Sequence, residues 1–74
     1  MAIYRFPVVI ERDEEGYFVF CPELQGCYTQ GDTYEEVLEN IKDAIRLHVE
    51  DCLESGEGIP QVESVSFASV EVSV

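Results

Sequence analysis

Between Thr33 and Gly56 runs a single apolar stripe, Tyr34, Val37, Leu38, Ile41, Ala44, Ile45, His48, Val49 and Cys52, at i, i+3, i+4, i+7 spacing. Thr33 followed three residues later by Glu36 fits a capping box, in which hydroxyl and carboxylate satisfy free N–H groups of the first turn. Gly56 suits the left-handed position just past a helix, and Gly58 with Pro60 prevents continuation. The spacing therefore predicts one amphipathic helix starting near residue 34, about 21 residues and roughly 30 Å long. A lone helix of that kind must bury its stripe on something else in the chain, and seventy-four residues leave room for one small sheet and one core.

The residues on either side of the helix read as strands. In Ile3–Glu11 the even positions Tyr4, Phe6, Val8 and Ile10 are apolar and the odd positions are mixed, which predicts a half-buried strand. Pro7 has no N–H for a ladder, so it implies either a bulge or an unpaired edge there. Asp13-Glu14-Glu15-Gly16 supplies turn formers and joins this strand to Tyr17–Cys21 as an antiparallel hairpin. Tyr17–Cys21 does not alternate, so both of its faces should be covered, one by the helix and the other by a second subunit. Pro22 and Gly26 bracket a tight loop, after which Cys27–Gln30 runs back as a short third strand ended by Gly31. Gln61–Val74 is rich in Val and Ser and shifts parity where Phe67 meets Ala68, which predicts a last strand with a bulge. A right-handed crossover would lay it parallel to the first. The expected fold is α+β, in the order β-β-β-α-β, with one helix on a four-stranded mixed sheet of order 3-2-1-4. No repeat, linker or low-complexity tract divides residues 1–74, so one domain is expected.

The formal charge of −12, from sixteen Asp and Glu against four Lys and Arg, is too lopsided for internal ion pairs to neutralise. Such a surface repels nucleic acid and anionic lipid and draws basic proteins inward. At 46% hydrophobic residues with eight aromatics, the chain is too apolar for an acidic disordered tail. The helix has a charge conflict of its own: Glu35, Glu36, Glu39, Asp43, Glu50, Asp51 and Glu54 face only Lys42 and Arg46. The last three acids stand where the helix dipole disfavours them. A basic partner relieves both costs.

Three cysteines cannot all pair within one chain, and the N-terminus has no basic region followed by an apolar one. With no apolar run long enough for a membrane span, the expectation is a cytoplasmic protein with free thiols, stapled by homodimerisation or higher homo-oligomerisation. Catalytic arrangements are weak. Cys21, Cys27, His48 and Cys52 are the soft ligands zinc would use, but they lack a knuckle spacing and the helical pair lies on the apolar stripe. His48, the single histidine, faces the core and leaves a cysteine nucleophile without a base. No phosphate-binding Gly-rich loop and no basic patch occurs. No cofactor, metal or enzymatic activity is expected.

Asp13-x-x-Gly16-Tyr17-x-x-x-x-Pro22-x-Leu24-x-Gly26-Cys27-x-Thr29-x-Gly31-Asp32-Thr33-x-x-Glu36, followed by an amphipathic helix, resembles the HicB antitoxin family over about two thirds of the chain. The resemblance implies a partial ribonuclease H-like fold, a homo-oligomer, and a partner, the HicA toxin, a small basic protein that cleaves messenger RNA. It implies a type II toxin–antitoxin role in which the acidic module occludes the toxin, without the catalytic carboxylates of a ribonuclease H. The additional DNA-binding domain that many family members carry at their C-terminus has no counterpart here, so direct nucleic-acid binding is not expected. The residues expected to meet the toxin are Asp13, Glu14, Glu15, Glu23, Glu39 and Asp43. The alternatives are a stand-alone oligomeric domain that binds another protein or a small molecule, and a metal-dependent hydrolase built on the turn carboxylates.

Overall fold

The computed structural model describes residues 3–60 and 66–74. Three strands, β1 (Val9–Asp13), β2 (Gly16–Phe20) and β3 (Tyr28–Gly31), form an antiparallel sheet in the order β1-β2-β3, and α1 (Tyr34–Ser55) packs on one face of it. The chain is thus β-β-β-α, the first four elements of the expected order.

The hairpin register sets Val9 opposite Phe20 and Asp13 opposite Gly16. That register explains why β1 begins at Val9 and not at Ile3. Its partner strand is only five residues long and ends before Cys21-Pro22, so residues before Val9 have nothing on β2 to pair with. Pro7 accordingly lies ahead of the ladder, which needs neither a bulge nor an edge position for it. Phe6 and Val8 still pack against the core, so their period-two pattern reports burial without strand pairing. At the turn, Asp13 Oδ1 accepts a hydrogen bond from the Glu15 N–H at 2.8 Å. β3 runs one residue later than expected, with Gly31 as its last member opposite Tyr17.

Alternation along β2 divides its side chains. Val19 is fully buried and Cys21 nearly so on the helix side, where they join Leu24, Cys27, Val37 and Ile41 in the core. Phe18 and Phe20 point to the other face and meet Tyr28 from β3, with the Phe18 ring 6.2 Å from Phe20 and 5.9 Å from Tyr28. This face was expected to be covered. In the single chain it is open, with Tyr28 64% exposed, because the helix can shield only one side of the sheet.

The helix ends as its sequence predicts. Thr33 has extended backbone, and its Oγ1 accepts from the Glu36 N–H at 3.1 Å. At the other end Gly56 is left-handed; Glu57 N–H donates to Cys52 O at 2.9 Å and Gly56 N–H to Leu53 O, the paired bonds of a Schellman turn. Val37, Ile41, Val49 and Cys52 are the buried positions of the stripe, whereas Tyr34 and Leu38 remain exposed at its margin.

The fourth strand is not formed among the described residues. Residues 66–74 carry no strand and are exposed, and part of the predicted strand, 61–65, lies outside the described residues. Neither the order 3-2-1-4 nor the parallel crossover is present in this sheet. Residues 66–74 pair with no strand of this sheet, so the period-two pattern of Val70, Val72 and Val74 reports an apolar face and does not by itself bring the segment to the β1 edge.

Candidate functional site

Three antiparallel strands followed by a helix bring four chain ends to one place: the end of β1, the start of β2, the end of β3 and the start of α1. Two glycines let them close up. Gly16, at φ +133°, lies so near β3 that a β-carbon there would stand 2.9 Å from the Gly31 carbonyl oxygen. A β-carbon on Gly31 would in turn stand 3.0 Å from the Val37 backbone nitrogen. Asn40 Nδ2 donates to the Gln30 carbonyl at 3.0 Å and ties the helix to β3 one turn further along.

The result is a cleft of about 350 Å³ lined by Asp13, Glu15, Asp32 and Glu36, with Gly16, Tyr17, Phe18, Gln30 and Gly31 completing the wall. Four carboxylates line it and no cation does. Beside it the Arg12 guanidinium sits 5.7 Å from the centre of the Tyr17 ring, which also meets Tyr34 edge-on. Carboxylates with no internal counter-charge suit a guanidinium or ammonium group delivered by a partner, because charge-assisted hydrogen bonds to carboxylates are stronger than neutral ones.

Of the residues expected to meet a partner, Asp13 and Glu15 line this cleft, and Glu14 stands exposed at the tip of the turn. Glu39 and Asp43 follow Glu36 along the helix at i+3 and i+7, so they extend the acidic surface away from it. Asp43 is engaged with Arg46 at 3.4 Å. Glu23 is not part of the cluster: it sits in the loop at the opposite end of β2. Asp32 is the lining acid that sequence reasoning missed, having assigned it only to the start of the helix; Glu36 was counted in the acidic helix face but not among the individual toxin contacts. The signal was available, since an antiparallel meander places the first turn and the third strand's exit at the same end of the sheet.

Cys21 and Cys27 face each other across the loop, joined by a 3.0 Å hydrogen bond from Cys21 N–H to the Cys27 carbonyl. Burial pushes both thiols above their ordinary value; the Glu23 and Leu24 N–H groups pull Cys21 partly back, and Cys21 itself adds to the rise at Cys27. All three cysteines are free and buried. Among the described residues, no group of three or more His, Cys, Asp or Glu side chains is arranged to hold a metal ion. No helix of these residues is long and apolar enough to cross a membrane.

Fold and site together define a small α+β module whose main cleft is acidic. A family model described as the HicB-like antitoxin of bacterial toxin–antitoxin systems matches residues 6–72, and the chain belongs to that family. It is 39% identical over 64 residues to the UPF0150 protein ssr1765 of Synechocystis, covering 85% of this chain and 81% of that one. It is 47% identical over 69 residues to Antitoxin HicB 1 of Photorhabdus laumondii, covering 92% of this chain and 44% of the longer relative. Among solved structures it is similar to a chain of a HicA3 and HicB3 toxin–antitoxin complex, with a TM-score of 0.64 and 25% identity over 81% of this chain and 70% of that one.

Proposed function

We propose that this chain is the antitoxin of a type II pair, a single cytoplasmic domain that binds a basic HicA-type toxin and occludes the surface with which the toxin holds messenger RNA. The observation that carries the reading is the convergence of Asp13, Glu15, Asp32 and Glu36 on one cleft without a counter-charge of its own. Glu14, Glu39 and Asp43 extend the contact along the turn and the helix, and Glu23 belongs to a separate acidic point on the far loop. The similarity to a chain of a toxin–antitoxin complex supports the same reading. Inhibition is steric and electrostatic. The toxin's cations exchange phosphate for carboxylate, encounter is fast at low salt, and screening beyond about 10 Å at 0.1 M salt weakens it. The side chains of β1 on the helix side include Ile10 and Arg12, not the carboxylates that a ribonuclease H site needs there. The chain therefore binds without converting a substrate. Copies of it associate through the open sheet face at Phe18, Phe20 and Tyr28.

The test is to mix the protein with the basic ribonuclease encoded beside it and follow RNA cleavage over a salt series. Asp13→Asn with Glu15→Gln should slow association at least tenfold at low salt and flatten its salt dependence. Glu23→Gln should leave the rate within twofold. Undiminished cleavage in the presence of excess wild-type protein would reject the function.

A further inference from the structure

Toxin binding uses none of the three buried thiols, and two of them stand opposite one another. In the ladder between β2 and β3, Tyr17 pairs with Gly31, Phe18 with Gln30, Val19 with Thr29 and Phe20 with Tyr28. One step further along that register sets Cys21 against Cys27, and the 3.0 Å hydrogen bond from Cys21 N–H to the Cys27 carbonyl is the ladder bond such a pair makes. Opposed residues share a face of the sheet. Both thiols lie on the helix side, 2% and 6% exposed, in one core cluster with Val19, Leu24, Val37 and Ile41. The Cys27 N–H does not return the bond but turns to the Leu24 carbonyl at 3.2 Å, while the Leu24 N–H donates to the Cys21 carbonyl at 3.2 Å. These bonds fold loop 22–26 over the end of the two strands. Cys52, the third thiol, is on α1 and outside that cluster.

We propose that Cys21 and Cys27 form a reversible disulfide site, oxidised by the disulfide form of a small thiol such as glutathione and reduced by its thiol form. The α-carbons of a hydrogen-bonded pair stand about 5.5 Å apart, inside the roughly 4.4–6.8 Å that a disulfide spans. Their β-carbons stand about 4.5–5.5 Å apart, against about 3.5–4.5 Å in a bridge, so the two residues have to draw in by roughly 1 Å. With its N–H on Leu24, Cys27 is tied to Cys21 by one bond instead of two and can make that move. A bridge closed against some resistance is more easily reduced again, as a reversible site requires. In the forward direction one cysteine gives up its proton and its sulfur attacks the small disulfide; that S–S bond breaks and one small thiolate leaves, taking the proton. The second cysteine then loses its proton and attacks the protein-side sulfur of the mixed disulfide, and the second small thiol departs. Two protein thiols are oxidised and one small disulfide is reduced to two thiols. Because both sulfurs are buried, each exchange passes through an opening of loop 22–26, which makes the bridge a slow staple. Cys21, Leu24 and Cys27 supply half of the six buried residues in the core cluster. Closing the seven-residue ring from 21 to 27 removes freedom from the unfolded chain, so oxidation stiffens a domain whose core is small.

Equilibrating the full chain with mixtures of reduced and oxidised glutathione, quenching with acid and alkylating the remaining thiols measures the bridge by mass. Digestion after glutamate, which cuts at Glu15, Glu23 and Glu35, locates it: fragments 16–23 and 24–35 stay joined until a reductant is added. The wild type should lose two thiols and keep Cys52 free, and Cys52→Ala should bridge to the same extent. Folding and bridging reinforce each other, so the equilibrium constant for closing the bridge should be at least about tenfold larger in buffer than in concentrated urea. The thermal midpoint of the oxidised chain should exceed that of the reduced chain by at least about 5 °C. Four results would overturn the proposal: a bridge that includes Cys52, a glutathione adduct at Cys21 or Cys27 that never closes, an equilibrium constant no larger in buffer than in urea, or a midpoint unchanged or lowered by oxidation.

Discussion

Replacing Gly31 by Ala tests the close approach on which both the core and the acidic cleft depend. The new β-carbon would stand 3.0 Å from the Val37 nitrogen and 3.2 Å from its α-carbon, when ordinary contact begins at 3.4 Å. Both neighbours are backbone of the helix's first turns, and the Val37 side chain is fully buried, so the helix has to move as a body. Overpacking of this kind costs about 1–3 kcal/mol. Removing a glycine from the unfolded chain returns about 0.4–1 kcal/mol. The net loss is therefore roughly 1–2 kcal/mol, a sizeable share of the ~3–5 kcal/mol available to a core this small. At about 4–8 °C per kcal/mol, the thermal midpoint should fall by roughly 5–15 °C. Gly58→Ala is the control, because its β-carbon would meet nothing within 4 Å and its backbone is not among the positive-φ glycines. It should be neutral or stabilising by up to about 1 kcal/mol. Urea unfolding followed by circular dichroism at one fixed protein concentration measures both, with slopes expected to match the wild type. If Gly31→Ala proves as stable as Gly58→Ala, the helix does not rest on β3 as described.

Other substitutions probe the helix ends and the loop. Thr33→Ala removes the hydroxyl that accepts the Glu36 N–H and should cost about 1 kcal/mol in the same urea experiment. Arg46→Gln breaks an exposed i,i+3 pair with Asp43 and should change stability by less than about 0.5 kcal/mol, vanishing in high salt. Cys21 and Cys27 have folded-state values raised above the ordinary 9.0 by burial. Their contribution is therefore complete below pH 9.0 and lost as pH rises through the folded values, since the unfolded chain gives up its thiol protons first. Unfolding free energy should fall on going from neutral pH to above 9.0, and Cys21→Ala with Cys27→Ala should flatten that fall. At neutral pH a thiol reagent should modify these residues only as fast as the protein opens.

Much of this molecule could be read along the chain because its signals are local. The apolar stripe, Thr33 at one helix end and Gly56 at the other depend on neighbours three to five residues away, and the helix appears at those bounds. The Asp13–Gly16 turn is equally local. Strand limits are not, since Val9 begins β1 only because β2 offers five partners, a fact that resides in the register. The same holds for the site. The abundance of acid was plain from composition, but Asp32 and Glu36 join Asp13 and Glu15 only once an antiparallel meander folds two distant turns to one end of the sheet and Gly16 and Gly31 let the backbones meet. Periodicity states which side of an element is apolar; what covers that side is decided by packing. For this reason the valines of 66–74 could be recognised as one face of a strand, while the sheet formed among the described residues stops at three strands.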